Sequence, residues 1–255
     1  MGHRPQTMSG VSCSVEVIGL DGDDTLWHSE QLFVETQDQF RALLAPHTDL
    51  DAAALDARLV EVERQNLGSF GYGVKAFTLS LVETAIAVTD GAIPGADVQQ
   101  ILELGKVLLD HPVQLLDGVA EAVDALTDRY RVMVVTKGDL LHQESKVARS
   151  GLAELLWAVE IVSEKDSATY RRVLERNRID PAGFVMVGNS VRSDVLPPLE
   201  IGARAVHVPY HVTWALEHAE AEPDRHRFPV LDTLAELPAC IEALATEPWP
   251  TAEDR

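Results

Sequence analysis

The run Val15-Glu16-Val17-Ile18-Gly19-Leu20-Asp21-Gly22-Asp23-Asp24-Thr25-Leu26-Trp27 constrains this chain more than any other segment. Its apolar half reads as a buried strand. Its second half places several carboxylates at that strand's carboxyl end, the edge at which open α/β sheets build ligand sites. Asp-Gly-Asp-Asp is also a good turn composition, because Gly and Asp both tolerate turn backbone angles. A turn, however, does not require an apolar strand directly before it. Carboxylates crowded at a partly desolvated strand end stay ionised only if a cation or an array of donors compensates them, and a hard cation such as Mg²⁺ suits that need.

Further strand-like runs occur at residues 131–136, 159–162, 184–188 and 205–208, with helix-like segments between them. Alternating strands and helices predict right-handed crossovers and a parallel, Rossmann-like sheet. More than a hundred residues separate Leu26 from Arg131, far more than a crossover needs, and they read as helical almost throughout. Leu55, Leu59 and Val62 share one face of a stretch opened by Asp51, and Val98, Ile101, Leu102 and Val107 suggest a second apolar stripe. An inserted all-helical module is therefore expected over residues 29–111, with the core formed by residues 1–28 and 112–255. Val119, Val123 and Leu126 form an apolar helix face before the second strand. The first ten residues read as a loose polar extension and the segment from Pro248 onward as a fraying tail.

Each strand end supplies a different chemistry. Asp21 and Asp23 follow the first strand. Thr136-Lys137-Gly138 follows the second, where a hydroxyl and a permissive glycine suit hydrogen bonding to phosphate oxygens. Glu164-Lys165 follows the third and offers a cation, and Gly188-Asn189-Ser190-Val191-Arg192-Ser193-Asp194 follows the fourth with an amide and a carboxylate. Taken singly, Thr136 is an ordinary strand terminus, Lys165 a surface lysine, Asn189 a turn residue and Asp194 a helix-start carboxylate. Their order along four successive strand ends is what points to a site.

That order resembles the haloacid dehalogenase superfamily, whose members are mostly phosphatases. The first motif is Asp21-Gly22-Asp23-Asp24-Thr25-Leu26; Thr136, Lys165 and residues 188–194 match the second, third and fourth. The helical insertion is similar to the cap that one subgroup carries between motifs one and two. The resemblance implies that Asp21 is the nucleophile, becoming a transient aspartyl phosphate, and Asp23 the general acid and base. It also implies that Thr136 and the backbone N–H of Lys137 hold phosphoryl oxygens while Lys165 balances charge. Mg²⁺ would rest on Asp21, the Asp23 carbonyl and Asp194, with Asn189 standing where many relatives carry an acid. A neutral amide oxygen there predicts weaker metal binding.

The core offers nothing to the non-phosphate part of a substrate, so specificity is expected from the cap. Residues 68–75 form its most loop-like segment, with Phe70, Tyr72 and Lys75 as contacts; burial of these aromatics between helices is the competing reading. The expected activity is a Mg²⁺-dependent phosphatase acting on a small phosphorylated metabolite. A phosphomutase or a phosphonate-cleaving hydrolase would use the same core, and a non-catalytic binding protein would share the fold.

A formal net charge of -20 argues against nucleic acid and anionic membrane as partners, both of which it repels. A homodimer stays compatible with everything above. The only cysteines, Cys13 and Cys240, lie far apart in sequence, so reduced thiols and a cytoplasmic location are expected.

Overall fold

The computed structural model describes residues 15–217 and 227–246. Cys13, the N-terminal extension and the tail from Pro248 lie outside them. The core is a five-stranded sheet of β1 (Val17–Leu20), β2 (Arg131–Lys137), β3 (Ala158–Val162), β4 (Phe184–Gly188) and β5 (Arg204–His207). Every neighbouring pair is parallel, in the order β3-β2-β1-β4-β5. The most apolar run of the sequence thus takes the central position. Leu20 stands level with Val134 on one side and Val187 on the other, so β1 and β4 end almost together while β2 runs on through Thr136 and Lys137 beside them. The chain leaves β1 toward opposite edges at this point, which opens the crevice used by doubly wound sheets.

Between β1 and the rest of the core lie α1 (Glu30–Leu44), α2 (Ala52–Phe70), α3 (Val74–Val88) and α4 (Gly95–Asp110). They enclose a separate apolar cluster that includes Phe40, Leu44, Leu59, Phe77, Leu81, Ile101 and Leu108. Leu55, Leu59 and Val62 are buried as the spacing predicts. The stripe expected on α4 needs correction: Ile101, Gly105 and Leu108 face inward, whereas Leu102 and Val107 are exposed. Steps of four and three residues keep that inward set on one face, and positions 102 and 107 fall off it. Residues 68–75 are not an extended loop either. Helix α2 continues through Phe70, and the reversal into α3 is made by Gly71 and Gly73, whose φ of 69° and 101° are readily adopted only by glycine.

The way into the cap and the way back are joined. His28 N–H donates to the Gln114 carbonyl at 3.0 Å, and Leu116 N–H to the Leu26 carbonyl at 3.0 Å. Trp27 and Leu115 form the antiparallel bridge between these hydrogen bonds. The chain then enters α5 (Val119–Thr127), whose Val119, Val123 and Leu126 pack into the core beneath the sheet. The remaining helices are α6 (Leu140–Arg149), α7 (Ser167–Asn177), α8 (Leu196–Glu200) and α9 (Leu237–Thr246). Among the described residues, no helix is long and apolar enough to cross a membrane.

Candidate active site

A chamber of about 160 Å³ lies between the carboxyl edge of the sheet and the cap helices. Asp21, Asp23, Thr136, Lys137, Lys165, Asn189 and Asp194, which are scattered through the sequence, all line it. Asp21 follows β1 directly and is 7% exposed. Lys165, from the loop after β3, puts its Nζ 2.5 Å from Asp21 Oδ1 and 2.7 Å from Asp194 Oδ1. Burial drives the Asp21 carboxyl upward, opposed by Lys165 and reinforced by Asp194. Lys165 resists the downward pull of burial and is shifted up because it sits between two carboxylates.

Asp194 is fully buried. Its second oxygen, Oδ2, accepts the Ser190 N–H at 3.0 Å. The approach of this carboxyl explains the glycine that ends β4: a Cβ on Gly188 would lie 2.3 Å from it. Each Asp194 oxygen thus accepts one hydrogen bond, and its carboxylate is the second counter-charge to Lys165. Asn189 of the same segment meets Asp21 through Thr25. The Thr25 hydroxyl is 3.4 Å from both Asp21 Oδ2 and Asn189 Oδ1.

Those oxygens bear on whether a metal ion fits. Among the described residues, no group of three or more His, Cys, Asp or Glu side chains forms a ready cage. Mg²⁺ does not need one, because it takes one or two carboxylates and fills its shell with neutral oxygens, water and substrate phosphate. Asp21, Asn189 and the main-chain carbonyl of Asp23 would make such a set, with Asp194 beside them, and the burial of Asp21 favours a cation next to it.

Asp23 is held by three donors. Trp27 Nε1 lies 2.6 Å and Lys146 Nζ 2.5 Å from Oδ1, and Gln143 Nε2 lies 2.9 Å from Oδ2. Burial works to raise its pKa, but Lys146 leads the opposing interactions and the net shift is downward. Asp24, next along, adopts a left-handed φ of 61° and turns away from the reacting end. Its carboxylate accepts the N–H groups of Ser29 at 2.8 Å and Glu30 at 3.0 Å, taking over the N-cap of α1, where Ser29 makes no side-chain cap of its own.

Thr136 is buried, and its hydroxyl faces the motif-one turn, 3.2 Å from where a Gly22 Cβ would stand. Lys137 contributes more than the expected backbone group. Its Nζ reaches Ser193 Oγ at 3.0 Å, forms an ion pair with Glu217 and lies 4.4 Å from the centre of the Tyr72 ring.

The cap residues proposed from sequence divide. Tyr72 lines the chamber, and its hydroxyl donates to Glu164 Oε2 at 2.7 Å, tying the turn between α2 and α3 to the loop that carries Lys165. Phe70 and Lys75 do not reach the chamber and line a separate cleft beside it. Phe70 is 50% exposed, because the extra turn of α2 carries it outward. Lys75 pairs with Asp139 at 2.9 Å, a surface contact between cap and core.

Several lining residues escaped the sequence reading: Gln143 and Lys146 on α6, Glu217 after β5, Trp214, and Glu30 and Glu63 on the cap. Gln143 and Lys146 are buried on the same face of α6 as Val147, so two polar residues at helical spacing beside an apolar one were the available signal. Glu30 looks in sequence like an ordinary first-turn acid, whereas Glu63 follows Leu55 and Leu59 at four-residue steps, and that spacing was the available signal.

The comparisons agree with this architecture. The family model for haloacid dehalogenase-like hydrolases matches residues 15–202. A haloacid dehalogenase-like family hydrolase from Xanthomonas campestris shares 42% identity, with a TM-score of 0.81 over 91% of this chain and 92% of its own. At 16% identity, the L-2-haloacid dehalogenase from Xanthobacter autotrophicus with chloropropionic acid covalently bound has a TM-score of 0.64, covering 90% of this chain and 99% of its own. A predicted phosphoglycolate phosphatase from Haemophilus somnus, also 16% identical, has a TM-score of 0.59 over 91% and 99%. These two show the fold alone. No curated protein matches the chain. With the family model spanning β1 to β4, the cap and all four strand-end segments, the chain belongs to the haloacid dehalogenase-like hydrolases.

Proposed function

We propose that this hydrolase is a Mg²⁺-dependent phosphatase of a small phosphorylated metabolite, working through an aspartyl phosphate on Asp21. The observation that carries the reading is Asp23, held in the chamber by Lys146, Gln143 and Trp27. Halide leaves carbon as a stable anion and needs no proton, whereas an alkoxide leaving phosphorus does. A fixed second carboxyl beside the nucleophile serves the phosphoryl reaction and would be idle in halide displacement.

In the first step an Asp21 oxygen attacks phosphorus in line, the P–O bond to the alcohol breaks, and Asp23 gives its proton to the leaving oxygen. In the second step Asp23 takes a proton from water, whose oxygen attacks phosphorus and releases inorganic phosphate and the free Asp21 carboxylate. The three donors around Asp23 favour the base form that the second step requires. The anionic phosphoryl group entering beside it raises its proton affinity and so prepares the acid form needed first. Thr136 and the Lys137 N–H hold phosphoryl oxygens, and Lys165 keeps the Asp21 carboxylate oriented while balancing charge on the transferring group. Mg²⁺, when bound by Asp21, Asn189 and the Asp23 carbonyl, supplies Lewis-acid charge neutralisation.

The deciding experiment measures phosphate release from a panel of phosphate monoesters, with and without Mg²⁺, alongside halide release from 2-chloropropionate. Metal-dependent phosphate release without halide release is expected. Halide release with inert phosphate esters would replace the phosphatase reading with a dehalogenase.

A further inference from the structure

The chamber has two sides of opposite character. On the core side every lysine has a carboxylate: Lys165 has Asp21 and Asp194, Lys146 has Asp23, and Lys137 has Glu217. On the cap side, Glu30 of α1 and Glu63 of α2 line the same space, and among the described residues neither has an ion-pair partner. Glu63 is 7% exposed, and its Oε2 is buried with no hydrogen-bond partner among the described residues. The Trp214 side chain satisfies the rest of that carboxyl by a hydrogen bond. A buried carboxylate oxygen without a donor costs stability, and a ligand that brings a donor to it removes that cost.

We infer that the cap side of the chamber receives an ammonium group, so that the preferred substrate is a small phosphate monoester carrying a primary amine. This rests on the phosphatase reading for the phosphoryl end and adds the chemistry of the other end. Burial pushes Glu30 up to about 8, with Glu63 adding to the shift, and pushes Glu63 up to about 7 against the Trp214 hydrogen bond. What they lack is positive charge together with donors. An alcohol brings a single O–H and leaves the charge in place, whereas an ammonium brings three N–H donors and a full charge to the same point. The same chamber is lined by Asp21 and by both cap acids, so one small molecule can meet all three. Glu30 also feels Asp24, Asp23 and Glu217, so the acids nearest the cap side oppose a further negative charge there.

The test compares kcat/KM for matched pairs, aminoethyl against hydroxyethyl phosphate and aminopropyl against hydroxypropyl phosphate, with p-nitrophenyl phosphate as a reference ester. For at least one chain length the amine is expected to be preferred by about tenfold or more, the scale of one charge-assisted hydrogen bond. Glu63→Gln and, independently, Glu30→Gln should bring that ratio down toward one, mainly by raising KM for the amine. Hydrolysis of p-nitrophenyl phosphate with no preference for either amine would overturn the inference and leave the phosphatase reading standing. If no ester is hydrolysed, the phosphatase reading fails, and calorimetry on the wild-type protein decides the inference separately. Tighter binding of the aminoalkyl phosphate than of its hydroxyl counterpart supports it, and equal binding or none refutes it.

Discussion

Lys146 reaches from α6 to place its ammonium 2.5 Å from Asp23 Oδ1, joining the segment after β2 to the acid/base group after β1. Both side chains are largely withdrawn from solvent, at 11% and 32% exposure, so the pair is not a freely screened surface contact. Lys146→Met should lower kcat by about ten- to a hundredfold, the range of a misplaced acid/base group. With the main cause of the downward shift of Asp23 removed, its pKa rises, and whichever limb of the pH–rate profile reports Asp23 should move to higher pH. Steady-state kinetics across pH check both, and an unchanged profile would show that Lys146 only fills space.

Asp21→Asn should abolish turnover, because an amide neither attacks phosphorus nor balances Lys165. Rapid acid quench of the wild-type protein with substrate should trap a phosphorylated protein, with the label on Asp21 and absent from the variant. Label retained by Asp21→Asn would move the nucleophile elsewhere.

Asn189 and Asp194 should separate cleanly. Asn189→Ala is expected to raise the Mg²⁺ concentration needed for half-maximal activity while leaving the fold intact. Asp194→Ala strips a buried partner from Lys165, whose side chain is 2% exposed. Breaking such a pair costs about 3–5 kcal/mol, so its first symptom should be a fall in Tm. A Mg²⁺ titration and a thermal melt on each variant distinguish the two roles.

Tyr72→Ala should alter relative kcat/KM across phosphate esters, because its ring lines the chamber and its hydroxyl fixes Glu164 beside Lys165. Phe70→Ala and Lys75→Ala should leave those ratios unchanged. The Lys75–Asp139 contact is exposed and contributes on the order of 0–1 kcal/mol. A specificity change in Lys75→Ala would bring the neighbouring cleft into substrate recognition.

Glu63 carries a pH signature of its own. Its folded pKa of about 7 stands above the ordinary 4.5, so the folded protein keeps a proton that the unfolded chain has lost. Stability from this group is complete below pH 4.5 and declines as pH rises through about 7. Glu63→Gln, with no charge to bury, should be more stable than wild type at pH 8 by roughly 1–3 kcal/mol and little different at pH 5. Thermal melts at the two pH values measure the difference.

The parts of this molecule legible in sequence are those in which burial and chemistry are adjacent along the chain. The apolar run before Asp21 and the one before Thr136 announced both a strand and what followed it, and the sheet brings their ends together. Residues that act from a distance left little trace. Glu217 meets Lys137, Ser190 and Ser193 only because the loop after β5 returns across the site, and nothing near position 217 signals that path. Glu63, four residues after Leu59, falls on the buried face of α2, but an acid at such a position does not announce that it opens into a site. Phe70 misled for the opposite reason: two glycines nearby suggested a mobile loop, whereas α2 keeps its hydrogen bonds past Gly68 and turns only at Gly71.

The pairing of residues 26–28 with residues 114–116 makes the entry to the cap and the exit from it a single two-stranded strap. Linkers bonded to each other cannot twist independently, so the simplest motion left to the cap is a rocking about that strap. Trp27 belongs to it and donates its indole N–H to Asp23, and Asp24, beside Asp23, grips the first turn of α1. The strap that attaches the cap therefore also carries a donor to Asp23, the group proposed for proton transfer. Attachment of the lid and support of that carboxylate are built from the same few residues, 23–28.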